Sequence, residues 1–135
     1  MVRYLRMFYV GWLGIIDGAL ILQLYLAGWG VFAFAGLTPY DAHRGVGDLI
    51  GIAILVALGL AFAARMPWRI TGINIGLLVL MIIQFILAVA NTQALSALHI
   101  VNAVFIVGAA ARLTWEAARF VWPARVAAGA ARSNP

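Results

Sequence analysis

The stretch ALILQLYLAG (residues 19–28), a short loop and DAHRGVGDLIGIAILVA (residues 41–57) recur later as LMIIQFILAV (80–89), a shorter loop and SALHIVNAVFIVGAAAR (96–112). Each copy sets one glutamine, Gln23 or Gln84, inside an apolar run. Each then sets one histidine, His43 or His99, near the start of the next run. The chain has two histidines in all, so the repeat uses both. Two copies of a paired apolar run make four runs, and their length decides the fold.

The runs cover about Met7–Ala35, Asp41–Ala64, Ile70–Ala90 and Ser96–Ala118. Each has the roughly 20 residues that cross about 30 Å of hydrocarbon at 1.5 Å per residue. Gly36-Leu37-Thr38-Pro39, Arg65-Met66-Pro67-Trp68-Arg69 and Asn91-Thr92-Gln93 separate them. Proline and polar residues do not continue a lipid-facing helix easily. The expected fold is all-α, a four-helix transmembrane bundle built from two two-helix repeats. It occupies residues 1–122, and 123–135 form a cytoplasmic tail expected to be disordered.

Composition agrees. Of 135 residues, 66% are hydrophobic and 10% charged. A soluble domain of this size could not bury so much apolar surface, so the lipid bilayer is the expected surrounding. The absence of cysteine excludes disulfides, iron–sulfur clusters, thiolate haem ligation and covalent haem attachment. All nine basic residues are arginines, and the net charge is +5. In a soluble protein that balance would point to nucleic acid. Here the arginines flank apolar runs, where they set membrane orientation, and no nucleic-acid partner is expected. The apolar stretch after Arg3 and Arg6 exceeds the about 7–15 residues of a secretory signal, so it reads as a retained first helix.

Under four spans, Arg3, Arg6, Arg65, Arg69, Arg112, Arg119, Arg125 and Arg132 share one side, and Arg44 stands alone on the other. The positive-inside rule then places both termini in the cytoplasm, in a bacterial plasma membrane. His43 and His99 open helices that run the same way. Both imidazoles therefore lie near the outer face.

Two imidazoles delivered to one level of a membrane bundle can ligate a single haem iron axially, with their tips within about 5 Å of each other. His43, Gly47 and Gly51 share a helix face, as do His99, Ala103, Ile106 and Ala110. Small residues leave room for a flat macrocycle beneath a ligating imidazole. The same glycines also read as an ordinary small-x-x-x-small packing motif. Each histidine alone also reads as an interfacial residue bonded to a loop. Zinc is disfavoured, because a tetrahedral site needs further ligands and no cysteine is present. Arg44 either pairs with a haem propionate, pairs with Asp41 or Asp48, or snorkels to lipid phosphate. Asp41 also serves as a helix cap.

Gln23 and Gln84 either bond each other across the bundle or contact a cofactor or quinone; the first is favoured. Asn102 and Asn74 carry the same alternatives. Asp17 lies in the inner half of the first helix, where a carboxylate is paired or protonated. Arg112, Arg65 or Asn74 would supply its partner, and a proton path is the alternative.

The pattern carried by ILQLYLAGWG (21–30) with DAHRGVG (41–47), and by IIQFILA (82–88) with ALHIVNA (97–103), resembles one four-helix half of the haem A synthase family. It also resembles small uncharacterised bacterial four-span membrane proteins. The resemblance covers about residues 19–112. It implies that His43 and His99 are the axial pair of one b-type haem. Only one half is present, and the glutamate usual ahead of that family's outer-loop histidine is missing, with Asp41 the nearest acid. Haem A synthesis is therefore not expected.

The expected function is that of a b-type cytochrome-like membrane protein. It would bind one haem b through metal ligands His43 and His99, with Arg44, Gly47, Gly51 and Ala103 around the cofactor. It would transfer electrons within a larger membrane complex, or a homo-oligomer, or with quinone, and catalyse no reaction alone. The rival is a cofactor-free accessory subunit of such a complex. A transporter is less favoured, since no pair of broken helices marks a midplane site. Reporter fusions at residue 37 and at the C-terminus should report opposite sides of the membrane. The same side for both would remove the four-span arrangement.

Overall fold

The computed structural model of the protein describes residues 1–32, 39–90 and 92–123. Four helices follow in chain order: α1 Val2–Phe32, α2 Pro39–Ala63, α3 Trp68–Ala88 and α4 Gln93–Val121. All four are long and apolar enough to cross a membrane. Each packs on its neighbours in a closed ring, α1 on α2, α2 on α3, α3 on α4 and α4 on α1. α2 and α4 are therefore diagonal partners across the bundle axis. The tail after Pro123 lies outside the described residues.

Buried positions recur at steps of three and four, the stripe that helices of a bundle present to one another. On α1 the stripe is Tyr9, Leu13, Ile16 and Leu20; on α2 it is Gly47, Ile50, Ile54, Ala57 and Ala61, with Ala64 just past the helix end. On α3 it is Ile70, Asn74, Leu77 and Met81; on α4 it is Asn102, Ile106, Ala110, Leu113 and Ala117. Asn74, Thr71 and Asn102 are buried, while Ile100, Val104 and Phe105 are exposed. This inversion suits a bundle bathed in hydrocarbon, where polar groups need partners inside and apolar groups do not. The many small residues on α2 and α4 let the backbones approach closely.

At the arginine end, α2 stops without a glycine. Arg65 takes the left-handed conformation, with φ 50°. Arg65 N–H donates to the Phe62 carbonyl at 3.0 Å, and Met66 N–H donates to the Ala61 carbonyl at 2.9 Å. This is the paired 5→2 and 6→1 bonding of a Schellman end, closed by burial of Met66. Arg6 from α1 supplies the remaining donors, from Nε to the Ala64 carbonyl at 3.1 Å and from Nη2 to the Arg65 carbonyl at 3.2 Å. A cation at a helix C-terminus also meets the negative end of the helix dipole. The Arg6 guanidinium stacks over the Phe120 ring of α4, 4.9 Å from its centre. One side chain thus ties α1, α2 and α4 together.

Arg65 is exposed and holds a conformation in which a Cβ is unfavourable, whereas Arg6 satisfies carbonyls. Arg65→Gly should therefore stabilise the protein by about 1 kcal/mol. Arg6→Ala should destabilise it by about 1–2 kcal/mol. Thermal unfolding in detergent checks both. A loss of stability in Arg65→Gly would contradict the left-handed helix end.

Candidate functional site

At the opposite end the core stripes continue into a polar layer. The residue after Leu20 on α1 is Gln23, and the one after Met81 on α3 is Gln84. Ahead of Gly47 on α2 stands His43, and ahead of Asn102 on α4 stands His99. All four are at least half-buried. The histidines sit on diagonal helices whose backbones do not approach each other closely, and their rings meet across the axis. The ring centres are 6.4 Å apart and the ring planes cross at 64°.

Each imidazole is held by the glutamine of its own repeat. His43 Nδ1 lies 3.2 Å from the Gln23 main-chain carbonyl, and His99 Nδ1 lies 3.3 Å from that of Gln84. A carbonyl accepts only, so each Nδ1 carries the proton and donates it. Each Nε2 then keeps a lone pair. It faces the side-chain amide nitrogen of the same glutamine, at 3.4 Å for His43 and 3.2 Å for His99. An Nδ1–H bonded to a carbonyl, with Nε2 left basic, is the arrangement that orients a histidine as a metal ligand.

The two copies differ in how the glutamine is fixed. The Gln84 carboxamide oxygen accepts from Asn102 Nδ2 at 2.7 Å, and Asn102 also donates to the Leu80 carbonyl at 2.9 Å. Gln23 instead donates to the His43 carbonyl at 2.7 Å, and its buried Oε1 has no partner. Position for position, Asn102 follows His99 as Val46 follows His43, and valine offers no donor.

The favoured expectation that Gln23 and Gln84 bond each other is corrected. Each is committed to the histidine one helix away, because α1 pairs with α2 and α3 with α4. Gly47 and Gly51 are close-approach positions. A Cβ on Gly47 would lie 3.0 Å from Gln23 Nε2, and one on Gly51 would lie 2.8 Å from the Phe85 ring. Gln23 and Phe85 thus lie over those glycines. Phe85, one residue past Gln84, is the site neighbour that sequence reasoning missed; its phase with the repeat was the available signal. Ala103 is half-buried.

Arg44, Asp41 and Asp48 are exposed. Among the described residues the one ion pair is Arg69–Glu116, at 2.8 Å, so of the alternatives for Arg44 the pairing with Asp41 or Asp48 is not made. α2 opens at Pro39, which puts Asp41 in the first turn, beyond the cap position. An acid there favours the helix dipole. Asp17 meets neither arginine named for it nor Asn74. It lies beside Thr114 of α4, whose buried hydroxyl has no partner of good geometry. Asn74 instead donates to the Tyr9 hydroxyl at 3.3 Å.

The donor set can be tested against metals. Among the described residues no third histidine, cysteine or carboxylate joins the pair, so the donors do not make a three- or four-ligand zinc site. Two imidazoles in line on opposite sides of one metal, with bonds of about 2 Å and roughly 1 Å from each bonding nitrogen to its ring centre, have centres about 6 Å apart. The ring centres of His43 and His99 are at a similar distance, 6.4 Å.

The fold and this layer define a four-helix membrane bundle with a repeated histidine–glutamine clamp across its axis. The chain belongs to the family of unknown function DUF6220, whose model matches residues 23–93. The match takes in Gln23, His43 and Gln84 and stops before His99. No curated protein and no solved structure matches the chain.

Asn102 is the one donor holding Gln84 Oε1, so Asn102→Ala should cost about 1–2 kcal/mol. Unfolding of the variant in detergent measures it. No change would mean that the Asn102–Gln84–His99 chain does not form.

Proposed function

We propose that the protein binds one haem b through His43 and His99 and carries electrons in the membrane. The single observation that supports this reading is the spacing and tautomer of the two imidazoles. Their centres are 6.4 Å apart, and both Nδ1 protons are spent on main-chain carbonyls. Each Nε2 keeps a lone pair, faced by a side-chain amide that a metal would displace. The likeness to a haem A synthase half, carried by the residues quoted above, points the same way.

In this reading the Gln23 and Gln84 carbonyls hold the rings in their ligating tautomer. The two side-chain amides, in long contact with Nε2, give way when a ligand takes the lone pairs. Gly47 and Gly51 provide the flat bed, and the half-exposed Phe85 ring turns out toward lipid to open it. Arg44, exposed at the same end, pairs with a propionate. Haem held by His43 and His99 would supply one-electron transfer. The positive-inside rule puts the eight-arginine side, with both termini, in the cytoplasm. The histidine layer then faces outward in a bacterial plasma membrane, where quinone or a larger membrane complex would exchange the electron.

One observation favours a second reading. The amides already contact both Nε2 atoms, and Phe85 already fills the space over Gly51. A clamp satisfied by its own side chains suits a cofactor-free accessory subunit. Absorbance decides between them. Protein purified from haem-sufficient cells should show a Soret band and sharp α and β bands on reduction. His43→Ala or His99→Ala should abolish the low-spin spectrum, and a high-spin remnant would still count in favour, since one ligand remains. No Soret band in the purified protein, or a spectrum unchanged in both variants, overturns the haem reading and leaves the accessory subunit.

A further inference from the structure

We infer that the cleft between α3 and α4 at the arginine end is a binding site for the phosphate of an anionic phospholipid. This inference is independent of His43 and His99. The cleft has a volume of about 340 Å³ and is lined by Pro67, Arg69, Ile70, Glu116, Arg119 and Phe120. Arg69 spends one nitrogen on Glu116 at 2.8 Å and stays two-thirds exposed. Arg119 is exposed and, among the described residues, makes no hydrogen bond or ion pair. Two guanidinium groups with spare donors thus face a carboxylate already committed to one of them. Arginine presents paired N–H groups that fit phosphate oxygens.

The surroundings select a lipid. The cleft lies at a helix end, and the chain neighbours of its lining residues include exposed Trp68 and Trp115, side chains of the kind that sit at headgroup level. Phe120 is partly exposed as well. Arg6, stacked on Phe120, and exposed Arg3, Arg65 and Arg112 add positive charge at this end. Basic pockets between membrane helices select anionic headgroups in this way. A zwitterionic lipid would bring a second cation into the same field, and Glu116, bonded to Arg69, is not free to receive it. A lipid chain can lie along the apolar helix faces while its phosphate enters the cleft. Free phosphate has no such anchor.

Native mass spectrometry of the detergent-purified full chain can count retained lipid after addition of phosphatidylglycerol, phosphatidylcholine or inorganic phosphate. The wild type should retain one phosphatidylglycerol and gain thermal stability from it, with little response to the other two. Arg119→Gln should weaken retention about five- to tenfold. Arg112→Gln removes the same charge outside the cleft and should change it less. Glu116→Gln frees Arg69 and should strengthen retention. Helix content by circular dichroism confirms that each variant is folded. An equal response to phosphatidylcholine, or a response to inorganic phosphate alone, overturns the anionic-lipid site. Equal loss in Arg112→Gln and Arg119→Gln shows diffuse charge attraction and overturns it too, as does weaker retention in Glu116→Gln.

Discussion

The histidine end of the bundle depends on one kind of hydrogen bond, from an imidazole Nδ1 to a main-chain carbonyl on the preceding helix. A helix carbonyl already accepts from the residue four places on, yet it keeps a second lone pair. His43 and His99 use that spare capacity on Gln23 and Gln84. No helix bond is lost, and the ring is turned so that Nε2 faces the side-chain amide of the same glutamine. In hydrocarbon a polar ring needs an internal partner, and this bond provides one while leaving Nε2 as the nitrogen without a proton. Helices that run alternately up and down then bring the two copies to one level. The 6.4 Å approach of rings on helices whose backbones stay apart follows from those two facts.

The other end solves a different problem. There the polar groups are helix carbonyls and guanidinium groups, and they serve each other. Arg6 takes two carbonyls at the end of α2, and Arg69 takes Glu116. A chain with nine arginines and no lysine draws on the broad, weakly hydrated guanidinium, which can bond carbonyls and stack on Phe120 at once. Lysine at position 6 would make the charge but not the fork or the stack.

The number of helices and the pairing of histidines were legible in the sequence, because both rest on run length and on a repeat. The helix ends were less so. α1 begins at Val2 and not near Met7, since arginines and tyrosines at an interface remain helical. α4 begins at Gln93 and not near Ser96, because Thr92 caps it by accepting from the Leu95 N–H at 3.4 Å. The left-handed Arg65 carries no glycine to announce it. The partner of each glutamine was misread. A polar side chain in an apolar run announces that it needs a partner, but the ring order of the helices decides which one. Asp17 shows the same limit. Its need was visible, yet the two arginines expected to meet it, Arg65 and Arg112, are both exposed.

The repeat is also imperfect in an informative place. Asn102 ties the Gln84 carboxamide to the Leu80 carbonyl, so the amide that faces His99 is fixed from behind. Val46 offers nothing comparable, and Gln23 Oε1 is left buried and unpartnered. Gln23 must then find its hold on the His43 main chain, through the same nitrogen that faces His43 Nε2. Both histidines have the same Nδ1 bond, but their Nε2 atoms face amides of unequal freedom. Displacing the amide from His99 strains a chain of three side chains and a carbonyl. Displacing it from His43 breaks the 2.7 Å bond from Gln23 Nε2 to the His43 carbonyl, while Oε1 is without a partner already. The clamp at His99 is thus braced from behind by Asn102, and the clamp at His43 rests on the Gln23 amide nitrogen alone.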